Sequence, residues 1–169
     1  MKTLLVVPLV GLAISFALPI YAQQKKITGT NKSEPVISKT VVPPGPGDDP
    51  KHELVGLQIG RETQTSSDPN FNDIEHITYE QSDSVAGTGT NRGYFRRLHK
   101  NGDIDYGTYE QTHKTTFKED GSWKETTWES TWKSIGGTGK FKNIKGSGTY
   151  RGKATAEGAS TEWEGETEY

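Results

Sequence analysis

From His52 onward, apolar and polar residues alternate mostly with a period of two, and no stretch shows the three-to-four spacing of an amphipathic helix. Val55, Leu57 and Ile59 alternate with Leu54, Gly56 and Gln58, which predicts a strand with one apolar face. Thr63–Asp73 is polar and carries a turn-like Asp68-Pro69-Asn70. A second strand over about 74–82 places Ile77 and Tyr79 on one face, Val85–Asn91 is ambiguous, and Gly93–His99 reads as a third strand. The Asn101-Gly102 pair that follows is a strong hairpin signal. Its partner, Ile104–Phe117, is long: Gly107, Tyr109, Gln111, His113, Thr115 and Phe117 share one face. Glu119-Asp120-Gly121 turns into Trp123–Ser134, with Trp128, Ser130 and Trp132 on one parity. Strands over about 148–156 and 161–169 follow. The last alternates Glu162, Glu164, Glu166 and Glu168 as a solvated face opposite Trp163 and Gly165. A short strand over 25–30 precedes them all. The pattern predicts an all-β antiparallel meander of roughly eight strands, closed into a barrel because closure removes long exposed edges.

Residues 1–22 break this pattern. Lys2, the apolar run Leu4–Leu18 and the small residue ending Ile20-Tyr21-Ala22 predict a secretory signal peptide cleaved at about Ala22/Gln23. Pro8, Gly11, Ser15 and Pro19 interrupt the run, which argues against a membrane anchor. The expectation is a periplasmic or secreted protein with one domain over 23–169 and no membrane span after cleavage. Between 31 and 51 the chain carries Pro35, Pro43, Pro44, Pro46 and Pro50, which predicts a polyproline-like loop.

Composition removes several function classes. With no Cys among 169 residues there is no disulfide, no thiol nucleophile and no lipid-modified cysteine. A net charge of -2 lacks the basic stripe of a nucleic-acid binder. His52, His76, His99 and His113 form no His-x-x-x-His pair, so no metal or other cofactor is expected. Asp48-Asp49-Pro50-Lys51-His52 reads as a solvated loop, and Asn101-Gly102-Asp103 as a hairpin turn without the ligand spacing of a calcium loop. Asn31-Lys32-Ser33 matches a glycosylation sequon by chance.

The segment Gly136–Gly152, GGTGKFKNIKGSGTYRG, excludes an ordinary helix because each interior Gly costs about 1 kcal/mol. Gly136, Gly137 and Gly139 permit positive φ around a turn. Phe141 and Ile144, three apart, suit one turn of 3₁₀ helix plugging a barrel end, and Gly146 and Gly148 let the next strand bend. This segment resembles the signature of the dirigent and allene oxide cyclase superfamily. Gly93-Tyr94, Asn101-Gly102-Asp103 and the Glu164–Tyr169 end are similar to a group of small secreted bacterial proteins with that barrel. The resemblance implies a lipocalin-like antiparallel barrel. None of the superfamily's catalytic residues matches this chain residue by residue, so no catalytic residue is assigned.

The aromatics are the functional lead. Tyr94, Tyr109, Phe117, Trp128 and Trp132, with Gln111 and His113 as polar partners, are candidates to line a pocket for a small hydrophobic or aromatic molecule. The reading that follows is a secreted, non-enzymatic binding barrel. The alternatives are an isomerase or cyclase-like enzyme on a lipid-derived or phenolic substrate, and a structural envelope-associated protein.

Overall fold

A computed structural model describes residues 24–43 and 45–169. The expected signal peptide lies outside the described residues. Among the described residues nine strands occur: β1 (Lys25–Ser33), β2 (Ser38–Val42), β3 (His52–Ser66), β4 (Glu75–Val85), β5 (Thr88–Leu98), β6 (Ile104–Phe117), β7 (Trp123–Gly137), β8 (Lys145–Thr155) and β9 (Gly158–Glu168). Every pairing is antiparallel, and they form one sheet that closes in a ring. The ring runs from β1 through β9, β8, β7, β6, β5 and β4 to β3, which returns to β1. β3 is long enough to serve two partners on one edge. Residues Glu62–Ser66 pair with β1, and Leu54–Ile59 pair with β2. β2 lies inside the stretch expected to be a Pro-rich loop. Its Ser-Lys-Thr-Val-Val run, free of Pro, suits a strand that covers an edge.

Two strand boundaries also move. β3 extends through the polar Thr63–Ser66 because these residues find partners in β1, and β5 starts at Thr88 because Ala86 and Gly87, both at positive φ, make a tight hairpin. The expected apolar face of Val55, Leu57 and Ile59 does not exist as one face. A bulge between Val55 and Gln58 turns Val55 into the core and Leu57 to the outside.

The glycine-rich segment closes one end of the ring. A 3₁₀ turn at Gly139–Phe141 buries Phe141 and Ile144 against Phe71 and Ile74, which a second 3₁₀ turn at Pro69–Phe71 delivers from the opposite side. Tyr169 and His99 pack their rings on this cluster, His99 stacking on Phe141 with centroids 3.8 Å apart. Gly139 has φ +47°, and a side chain there would overlap the Asp103 carboxylate. Gly137 needs no positive φ, contrary to expectation; it is small because a Cβ would meet the Ile104 carbonyl oxygen at 2.5 Å. Gly148 likewise serves close approach, its Cα side facing Gly165 of β9.

Large interior aromatics lie opposite glycines. Phe95 pairs with Gly107, Tyr109 with Gly93, Trp128 with Gly152 and Trp163 with Gly29. A Cβ at Gly152 would stand 2.6 Å from the Trp128 ring, and one at Gly93 would stand 2.8 Å from the Tyr109 ring. Each glycine thus lets a neighbouring ring lie flat along the wall.

Candidate ligand cavity

Above the plug, a buried ionic layer crosses the interior. Arg97 of β5 grips the fully buried Asp105 of β6, with Nη2 2.6 Å and Nε 2.9 Å from Oδ1. His99 Nε2 also contacts Asp105, and its Nδ1 faces the Asn70 carbonyl oxygen at 2.9 Å. The Arg97 guanidinium lies over the rings of Phe71 and Phe95. Burial alone would raise the Asp105 carboxyl; Arg97 and His99 outweigh it and hold the group below the ordinary carboxylate range.

Beyond this layer the interior opens into a cavity of about 320 Å³. One wall is aromatic: Phe95, Tyr109, Trp128, Trp132, Tyr150 and Trp163. The other, from β1, β3 and β4, is polar. Glu62 accepts a hydrogen bond from Asn31 Nδ2 at 2.7 Å and lies 3.1 Å from His76 Nδ1, while the Trp163 indole donates to Asn31 Oδ1 at 3.0 Å. One turn of the strand nearer the mouth, Glu80 accepts from the Tyr109 hydroxyl at 3.0 Å. Tyr150 donates to Gln111 Oε1 at 3.0 Å.

The two carboxyls diverge. Burial raises Glu62, but His76, Asn31 and Ser33 more than offset it and lower the group. Burial raises Glu80, and the hydrogen bonds from Tyr109 and Asn91 only partly oppose it. Burial and the nearby Glu80 push the Tyr109 phenol up, and burial does the same to Tyr150, so both stay neutral donors. Burial lowers His113, which is therefore neutral near neutrality. Three buried polar atoms of cavity residues have no hydrogen-bond partner: His76 Nε2, Asn91 Oδ1 and His113 Nδ1. Unsatisfied groups of this kind are costly in a finished core and useful in a binding site. A wider opening of about 1390 Å³ borders the same walls but spreads over solvated Thr, Glu and Arg side chains, where water competes for every contact.

Among the pocket residues expected from sequence, Tyr109, Gln111, His113, Trp128 and Trp132 all line the cavity. Tyr94 and Phe117 do not. Tyr94 is 61% exposed, because the register that sets Gly93 against Tyr109 and Phe95 against Gly107 turns position 94 outward. Phe117 is 52% exposed because a register shift between Thr116 and Phe117 breaks the parity of β6. Sequence reasoning missed Glu62, His76 and Glu80. Their even-numbered positions form the polar face of strands whose apolar residues drew attention, yet that polar face is the inner one.

Among the described residues, no group of three or more His, Asp or Glu is placed to hold a metal ion, and no helix is long and apolar enough to cross a membrane. His52 instead clips the rim: its Nδ1 and Nε2 face Asp48 Oδ2 at 2.6 Å and Asp83 Oδ1 at 2.9 Å. Asn31 of the sequon is buried, with its amide engaged in the cavity wall. Compared with models of known protein families and with curated proteins, the chain matches none.

Proposed function

We propose that this chain is an exported β-barrel binding protein of the allene oxide cyclase and dirigent-like superfamily, which holds a small aromatic molecule inside its ring. Support for the scaffold comes from the GGTGKF segment acting as an end plug on a closed antiparallel ring. Support for binding rests on one observation above others: a cavity of about 320 Å³ with flat aromatic walls and unpartnered polar atoms on His76, Asn91 and His113. The aromatic wall stacks on the ligand ring and the polar atoms fix its orientation. Titration with 4-ethylphenol, followed by tryptophan emission, tests the reading. The native chain is expected to show saturable change, and Trp128→Leu to bind about tenfold more weakly with an unchanged circular dichroism spectrum. No saturable change in the native chain would overturn it.

A second reading, proton-transfer catalysis of the isomerase type, is favoured by the opposed shifts of Glu62 and Glu80 in one cavity. There Glu80 would deliver the proton and Glu62 would remain ionised. Glu80→Gln would then abolish turnover of a bound substrate while leaving its affinity within a few fold.

A further inference from the structure

Glu80 is a half-buried carboxyl group that makes no salt bridge among the described residues. Its hydrogen-bond partners are neutral: the Tyr109 hydroxyl at 3.0 Å, the Asn91 side-chain amide and, at 3.5 Å, Gln58 Nε2. The other charged side chains lining the cavity have partners. Glu62 is held by Asn31 and His76, Arg97 is gripped by Asp105, Glu34 accepts from the Thr63 hydroxyl at 3.3 Å, and Arg61 faces Glu75 at 4.0 Å. Beside Glu80, across the β4–β5 pairing, Asn91 turns an unpartnered carbonyl oxygen to the cavity. Two acceptors, one of them ionisable, thus face a space walled by Trp128, Trp132 and Tyr150, whose ring faces attract positive charge.

A second unpaired polar atom lies deeper. His76 Nδ1 lies 3.1 Å from Glu62 and 3.2 Å from Asn31 Nδ2, which leaves Nε2 without a partner among the described residues on a ring that is 8% exposed. His76 and Glu80 stand four residues apart on β4, about 13 Å along the strand. That span matches an arylalkylamine with a ring hydroxyl, plus one hydrogen bond at each end.

We infer that the cavity takes an organic cation, an arylalkylamine whose ammonium sits against Glu80 and Asn91 Oδ1, whose ring lies among the tryptophans, and whose hydroxyl forms a hydrogen bond with His76 Nε2. The inference rests on the reading that the interior binds a small molecule, and it names the ligand's charge. The burial that raises Glu80 is what a ligand cation would relieve.

Isothermal calorimetry on the purified protein with tyramine, 4-ethylphenol and 4-hydroxyphenylacetate separates the claims. Tyramine is expected to bind about tenfold tighter than 4-ethylphenol, and 4-hydroxyphenylacetate to bind weakest. Glu80→Gln should remove the preference for the cation, so that tyramine and 4-ethylphenol bind this variant with equal affinity. If 4-ethylphenol or 4-hydroxyphenylacetate binds as tightly as tyramine, the cation assignment is wrong while interior binding stands. If none of the three binds, interior binding falls and the cation assignment with it. The ratio in the native chain decides even where Glu80→Gln fails to fold.

Discussion

Gly152 and Trp128 show how single residues set the width of the interior. The ring of Trp128 lies where a Cβ at position 152 would have to be, so the glycine determines whether the tryptophan hugs the wall or stands into the cavity. Gly152→Ala is expected to cost about 1–3 kcal/mol by forcing that ring off its position, read as a lower urea midpoint together with a shift in tryptophan emission. Asp105 is the ionic counterpart. Fully buried between Arg97 and His99, it cannot lose its charge without stranding that of Arg97, and Asp105→Asn should cost about 3–5 kcal/mol in urea unfolding. Its folded pKa lies below the unfolded one, so its contribution is full above about pH 4 and is lost as pH falls through the lowered folded value. Acid unfolding curves should therefore be steeper for the native chain than for Asp105→Asn. At this scale, parity assigned Tyr109, Gln111, His113, Trp128 and Trp132 correctly, because β6 and β7 are regular between residues 107 and 115 and between 126 and 134. Parity fails at Phe117, where a bulge intervenes, and at position 94, where the inward aromatic of β5 is Phe95 rather than the expected Tyr94.

Elements add constraints that no residue carries alone. The 3₁₀ turn at Gly139–Phe141 works as a plug because Gly139 takes a left-handed φ beside Asp103, while Phe141 and Ile144 reach across to Phe71 and Ile74. Gly139→Val should lower stability by about 1–3 kcal/mol through backbone strain and the Asp103 clash. It should weaken ligand binding only in proportion to the unfolded fraction, as paired melting and titration curves would show. The Phe141–Ile144 spacing made this plug legible in sequence. Its other half was not, since Phe71 and Ile74 sit in a polar stretch whose order depends on Asp68 accepting not only from nearby Asn70 but also from Tyr169 at the far end of the chain. β2 was hidden for the same reason: it is a strand only because β3 offers it an edge. At the opposite rim, His52 ties the loop carrying Asp48 to Asp83 of β4. Hydrogen bonds to Asp48 and Asp83 raise its pKa, so the clip is intact below about pH 6.5 and opens as pH rises through the higher folded value. Proton NMR of the His52 ring should give that elevated midpoint, and Asp48→Asn should return it toward the ordinary histidine range.

For the whole molecule, the central fact is a ring with a polar inner wall facing an aromatic one. An all-β antiparallel fold was legible because alternation and turn signals are local. The composition of the wall was not, because on β4 the cavity takes His76 and Glu80, while Tyr79 is exposed and Ile77, on the parity of Tyr79, is buried without lining the cavity. A core would not tolerate that arrangement, with three buried polar atoms unpartnered; a binding site uses it. Native mass spectrometry of the protein purified from its own source tests this most directly. The account predicts an intact mass beginning at about Gln23 together with a stoichiometric adduct of a small molecule that fits about 320 Å³, lost in Trp128→Leu. A chain with no adduct, and a Trp128→Leu variant indistinguishable from it in melting and in ligand titration, would contradict the account.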